Sequence, residues 1–190
     1  MTSKCAKLNP KVIDQCRLLG SMYKDMLYSS FYSSPMGGLF LFSDGLNLTG
    51  LYFDNEYAIH NNINATERPN LQVFKKTKLW LDSYFSGKNP KVDIPLKFNG
   101  SNFRSIVWNA LMDIPYGTTK TYGEIAKHVA TAVGKNKMSA QAVGGAVGAN
   151  PISIIIPCHR VIGANGNLVG YGAGIDKKIE LLKLEGIIEK

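Results

Sequence analysis

The chain has 190 residues and a formal net charge of +8 at pH 7, with 45% hydrophobic and 19% charged residues. That is enough for one generous domain or two small ones, with the composition of a folded protein rather than a disordered one. No apolar run reaches the roughly 18–20 residues that span a bilayer, and the opening MTSKCAKLNPKV lacks the hydrophobic stretch of a secretory signal. Three cysteines, Cys5, Cys16 and Cys158, cannot close a disulfide framework, so an intracellular, reducing compartment (cytoplasm or nucleus) is expected. The positive balance favours anionic partners, nucleic acid or a membrane surface, and does not choose between them.

Residues 1–25 form an N-terminal extension with Cys16, Leu18, Leu19 and Met22, followed by Met26, at helical spacing. Two β-type runs follow, Leu39 to Phe42 and Leu48 to Phe53, on either side of a turn-forming Asp44-Gly45. Leu71, Phe74, Lys78, Leu81 and Phe85 lie on one face of a predicted helix that Gly87 ends, with Lys75, Lys76 and Lys78 read as a solvated face. Residues 87–100 are rich in Pro, Gly, Lys and Asn. They read as a linker between a mixed α/β domain over residues 26–98 and a mainly helical domain over residues 99–190.

In the second domain, Phe103, Ile106, Val107, Ala110, Leu111 and Ile114 mark an amphipathic helix stopped by Pro115-Tyr116-Gly117. Thr121 and Glu124 have the spacing of a capping box and open a second helix running through Val129. Ser139 to Ala149 forms a third, and the pair suggests a helix-turn-helix module. Gly144 and Gly145 are unusual there, since a helical glycine costs about 1 kcal/mol relative to alanine. Tight helix packing and a slim helix entering a groove both fit. Near the end of the chain, Asp176 is the expected N-cap of a last helix, with Gly186 as its stop.

The chemistry concentrates at Cys158. Ile152 to Ile156 is a β-branched run that predicts a buried strand, ended by Pro157, after which Cys158-His159-Arg160 follows at once. A cysteine beside an imidazole and a guanidinium is placed for a lowered pKa, and its thiolate is a nucleophile whose proton a positioned histidine can hold. Adjacent side chains diverge in an extended segment, so His159 is expected to act through a bridging water.

Ile156-Pro157-Cys158-His159-Arg160-Val161 resembles the active-site signature of the O6-alkylguanine-DNA alkyltransferases. The likeness continues in order through Ser34-Pro35-Met36-Gly37, Val107-Trp108, Ile114-Pro115, Thr121-Tyr122, Ala142-Val143-Gly144 and Asn150-Pro151, covering roughly residues 26–186. The resemblance implies an α+β protein with a ribonuclease-H-like N-terminal sheet domain and a winged-helix-like C-terminal domain. It implies direct-reversal repair: an alkyl group passes from guanine O6, and from thymine O4, to Cys158 in a single self-inactivating turnover. The partner is double-stranded DNA bound through its minor groove, with the damaged nucleotide flipped out; extrusion costs a few kcal/mol. No cofactor, no metal and a monomer are expected.

By the same resemblance His159 is the proton relay and Glu185 completes it, although Glu185 in isolation reads as a surface charge. Tyr122 helps rotate the target phosphate and bonds the flipped base, Asn150 braces the active-site loop, and Val147 and Tyr171 line the pocket. Backbone groups near Cys158, Val161 and Gly172 bind the guanine edges, and Arg160 is structural. Two departures stand out: Gln141 replaces the family's usual arginine finger, and Gly172 stands where many relatives have serine. Cys5, Cys16 and His60 are too widely spaced for the zinc site some relatives carry. The alternative reading is a non-enzymatic alkyltransferase-like damage binder, against which the intact cysteine counts. Between Pro115 and Ile175 the bases Lys120, Lys127, Lys135, Lys137 and Arg160 face one acid, Glu124, and this local excess favours nucleic acid as the partner.

Overall fold

The structure, a computed structural model, describes residues 27–54 and 64–189. The expected N-terminal helix, with Cys5 and Cys16, and also His60, lies outside these residues. The chain has the two-part α+β architecture expected. β1 (Tyr28–Ser34), β2 (Gly37–Ser43) and β3 (Leu48–Phe53) form an antiparallel meander, and the short β4 (Thr66–Glu67) joins β1 in parallel, giving the order β3-β2-β1-β4. β2 and β3 match the predicted runs. β1, whose sequence is YSSFYSS, escapes periodicity because its inward positions are Tyr28 and Ser30 rather than aliphatics.

Leu39, Leu41, Leu51 and Phe53 point to one face of the sheet and are fully buried. Against that sheet packs α1 (Gln72–Phe85), which contacts β1 and β2. Its buried stripe is Phe74, Thr77, Leu81 and Tyr84, not the predicted stripe through Lys78 and Phe85. Thr77 can sit inside because its hydroxyl donates to Val73 O at 2.8 Å. Residues 87–100 are not a loose linker. Leu48 N–H donates to Pro95 O and Lys97 N–H to Leu48 O, while Ile94 is buried and the Trp80 indole donates to Pro90 O. Prolines lack an N–H but keep a carbonyl acceptor, so this strap runs along the β3 edge.

The second half packs α2 (Asn102–Met112), α3 (Tyr122–Ala132) and α4 (Ala140–Gly148) against one another around Val107, Trp108, Leu111, Val129 and Val143. Ser101, Thr121 and Ser139 are the N-caps, and both hydrogen bonds of the predicted Thr121–Glu124 capping box are present. The Trp108 indole donates to Ala146 O at 2.8 Å, fixing α4 on α2. A two-stranded parallel sheet joins β5 (Lys120–Thr121) to β6 (Val161–Ile162), and α5 (Ile175–Leu184) closes the fold. Its N-cap is Gly174, at φ +98°, and Asp176 stands in the first turn instead.

The predicted strand at 152–156 is a buried turn. Only Ile152 bridges to β3, and Ile155 N–H closes back onto Ser153 O with Ile154 at φ +71°. A β-branched residue there costs about 1–3 kcal/mol. The Asn150 side chain makes the turn possible by supplying what a neighbouring strand would: its Oδ1 accepts from Ile152 N–H and its Nδ2 donates to Ile156 O. Buried backbone needs partners, not necessarily a sheet.

The two glycines of α4 also resolve. A Cβ on Gly145 would meet nothing within 4 Å, and one on Gly144 would rest in ordinary contact on the Tyr122 ring. Helix packing therefore demands neither, and the exposed face of α4 (Ala140, Gln141, Ala142, Gly145, Gly148) is slim. Gly145→Ala is expected to stabilise the protein by about 1 kcal/mol, read as a higher urea midpoint at unchanged slope.

Candidate active site

The irregular turn delivers Cys158 to the floor of a cavity of about 280 Å³ lined by Tyr122, Val147, Asn150, Cys158, Tyr171 and Gly172. Cys158 opens a 3-10 turn, Cys158–Arg160, rather than an extended segment. The Asn150 amide that holds the turn also donates to Cys158 Sγ at 3.0 Å. Five of the residues singled out in sequence thus meet the sulfur in one cavity. Burial first, and then the charge of a Cys158 thiolate, push the Tyr122 pKa up, so its phenol stays a donor.

The tight turn sends His159 and Arg160 away from the cavity into a buried network on Glu185. Glu185 Oε1 accepts from Tyr84 Oη at 2.7 Å, His159 Nε2 at 2.8 Å and Arg160 Nη2 at 2.9 Å; Oε2 accepts from Arg160 Nε at 2.9 Å and Gly117 N–H at 3.2 Å. Burial alone would raise the Glu185 pKa. The hydrogen bonds from His159 and Arg160 outweigh it and bring the value down to about 2. His159 is fully buried, and desolvation lowers its pKa against the opposing pull of Glu185. A carboxylate on Nε2 puts the neutral ring's proton there, leaving the buried Nδ1, which has no partner in the structure, as an acceptor.

Three expectations need correction. Glu185 is no surface charge, because five donors surround it. Arg160 does not add to a DNA-facing charge: its guanidinium chelates Glu185 and donates to Ile114 O at 2.6 Å. Lys120 is likewise offset by Glu124 at 3.2 Å, which leaves Lys127, Lys135 and Lys137 as the exposed bases of that region. Val161 is fully buried and outside the cavity, with its N–H on Cys158 O and its carbonyl on Lys178. Gln141 stands exposed on α4, clear of the cavity.

Two residues went unnoticed in sequence. Tyr84 enters the network from α1. Lys178 is fully buried, and its ammonium donates to the carbonyls of Val161, Val169 and Gly170, tying β6 to the cavity wall. Burial lowers its pKa to about 8. Lys178 shares a helical face with Leu181 and Leu182, whereas the spacing of α1 favours Phe85 over Tyr84, and nothing local marks either residue as a polar partner. Elsewhere, a groove of about 670 Å³ between α2 and α3, lined by Ile114, Lys127, His128 and Thr131, does not reach Cys158. Among the described residues no cluster of His, Cys, Asp or Glu could hold a metal, and no helix is long and apolar enough to cross a membrane.

Two family models match the chain: the ribonuclease-like domain of 6-O-methylguanine DNA methyltransferase over residues 27–98, and its DNA-binding domain over residues 102–187. The chain belongs to the 6-O-methylguanine DNA methyltransferase family. It is 44% identical over 163 residues to a methylated-DNA–protein-cysteine methyltransferase of Haemophilus influenzae, covering 85% of this chain and 87% of that one. A Methanosarcina acetivorans protein of the same name is 43% identical over 162 residues, covering 84% and 99%. Among solved structures, Mycobacterium tuberculosis OGT in complex with DNA superposes with a TM-score of 0.74 at 41% identity, covering 83% of this chain and 92% of that one.

For this family member the ionised Glu185 implies a definite pH response. Its folded pKa lies below the unfolded value, so its stabilisation is complete above about pH 4.5 and is lost as pH falls towards 2. Glu185→Gln is expected to cost about 3 kcal/mol or more at pH 7, because it leaves Arg160 buried without its counter-charge. Urea unfolding of both proteins should show that gap narrowing below pH 4.

Proposed function

We propose that the protein repairs alkylated DNA directly, transferring the alkyl group of O6-alkylguanine to Cys158 Sγ in one self-inactivating turnover. The observation that carries this reading is the joining of Cys158, in a base-sized cavity with Asn150 and Tyr122, to the buried His159–Glu185 pair on the other side of one 3-10 turn. His159 Nδ1 takes the thiol proton through a bridging water. The thiolate attacks the alkyl carbon, the S–C bond forms as the C–O6 bond breaks, and the electron pair leaves on guanine. The Tyr122 phenol donates to the base to offset that charge. Glu185 stays ionised throughout and stabilises the imidazolium without accepting its proton, while Asn150 orients the sulfur.

Cys158 is buried within the cavity, so a base inside a duplex cannot reach the sulfur and must be flipped out. Gly170, Tyr171 and Gly172 form one wall of the cavity and Val147 with Gly148 another. Gly172 offers its backbone N–H to the O6 edge. The slim face of α4 suits a minor groove about 6 Å wide. Lys127, Lys135 and Lys137 supply phosphate contacts, and the protein acts as a monomer.

The test is intact-mass measurement after incubation with a duplex containing O6-methylguanine. The expected result is one methyl group per molecule on Cys158, absent in Cys158→Ala. DNA binding without any mass gain would instead establish the non-enzymatic damage binder.

Gln141 can hydrogen-bond the orphaned cytosine but brings no cation. Gln141→Arg is therefore expected to tighten DNA binding at low salt and to steepen its salt dependence by about one unit of log–log slope. Fluorescence anisotropy at several salt concentrations checks this, and an unchanged slope would refute an electrostatic role for position 141.

A further inference from the structure

We infer that Tyr84 is a positioning residue of the methyl-transfer site: its phenol, delivered by α1 from the first half of the chain, sets how strongly Glu185 holds His159. This rests on the roles proposed above for Cys158 and His159. Tyr84 is 1% exposed and touches no part of the substrate cavity. Its hydroxyl donates to Glu185 Oε1 at 2.7 Å, the oxygen that also accepts from His159 Nε2 at 2.8 Å, and the phenol oxygen lies 3.4 Å from that nitrogen. With Arg160 Nη2 at 2.9 Å, three donors thus share one carboxylate oxygen, and what one takes the others lose.

The ring is held firmly for this task. It stacks on Trp80 with centroids 5.3 Å apart and planes 9° from parallel, and meets Phe85 and Tyr116 edge-on at 5.5 and 6.2 Å. Those contacts belong to the ring and survive removal of the hydroxyl. Packing alone would be served by phenylalanine; the hydroxyl is explained by the carboxylate it reaches.

The groups facing His159 are Glu185 and Lys178 on the last helix and its cap, Arg160 beside it in the turn, and Tyr84 from α1. In Tyr84→Phe, Oε1 loses a donor and its charge falls more fully on His159 Nε2–H. That favours the imidazolium. Since the reaction needs His159 neutral before it takes the thiol proton, the acid limb of the rate profile moves to higher pH.

The experiment is the single-turnover rate of methyl transfer from a duplex containing O6-methylguanine, measured across pH for the full-length protein and Tyr84→Phe. The expected result is an acid limb shifted up by about half a unit, which lowers the rate about threefold on the acid side of the profile, with unchanged DNA affinity. Incorporating 3,5-difluorotyrosine at position 84 makes a stronger donor in the same ring and should move the limb the other way. It also covers the case in which the phenylalanine variant fails to fold. A limb that stays fixed in both proteins, with at most a loss of stability, overturns the inference and leaves Tyr84 as packing. Absence of methyl transfer by the wild-type protein would instead strike the reading beneath it.

Discussion

An ionised carboxylate at the wrong end of a helix is the constraint around which the molecule is built. Glu185 caps the C-terminus of α5, where the helix dipole disfavours negative charge, and its side chain is fully buried, where solvent cannot help. It survives there because donors converge from three places: Tyr84 on α1, Gly117 after α2, and His159 and Arg160 in the Cys158 turn. Removing a partner from such a cluster leaves a charge stranded in low dielectric, so the cluster fixes those elements relative to one another. Burial, against the pull of Glu185, spares His159 from being held permanently as a cation.

The cavity itself depends on a second economy. Its walls are irregular backbone: the turn through Ile154 on one side and residues 169–172 on the other. Neither segment satisfies all of its peptide groups from within. Asn150 does it for the first and Lys178 for the second, each by occupying several backbone partners at once. Asn150 has a further bond to spare for Cys158 Sγ. The polar side chain that makes the turn foldable thereby also holds the Cys158 sulfur.

The face offered to DNA is shaped more by size than by charge. Of the five bases around the helix-turn-helix, Arg160 is spent inside the protein and Lys120 on Glu124, so the exposed excess rests on Lys127, Lys135 and Lys137. α4 itself carries no charge, and its glycines contribute room rather than packing. Such a surface gains little from counterion release along α4, which leaves shape as the larger contribution there.

Helix caps, the amphipathic helices and the β2–β3 hairpin were legible in sequence because they are set by neighbours within a few positions. Thr121 and Glu124 are three residues apart, and both bonds they promise are formed. The signature around Cys158 was legible through its resemblance to a family rather than through local physics. What failed were local judgements that distant partners overturned. Ile152 to Ile156 has the composition of a strand, yet Asn150 takes bonds a strand would need. Arg160 counts among the DNA-facing bases in sequence until the fold surrounds it with acceptors. Tyr84, 75 residues from His159 in sequence, carries no local mark of its place. The sequence by itself determined which segments form helices and hairpin, and which cysteine stands in the motif that resembles the family's signature. Only the tertiary structure decided which polar groups are buried together, because the cost of burying a charge depends on partners that folding alone brings within reach.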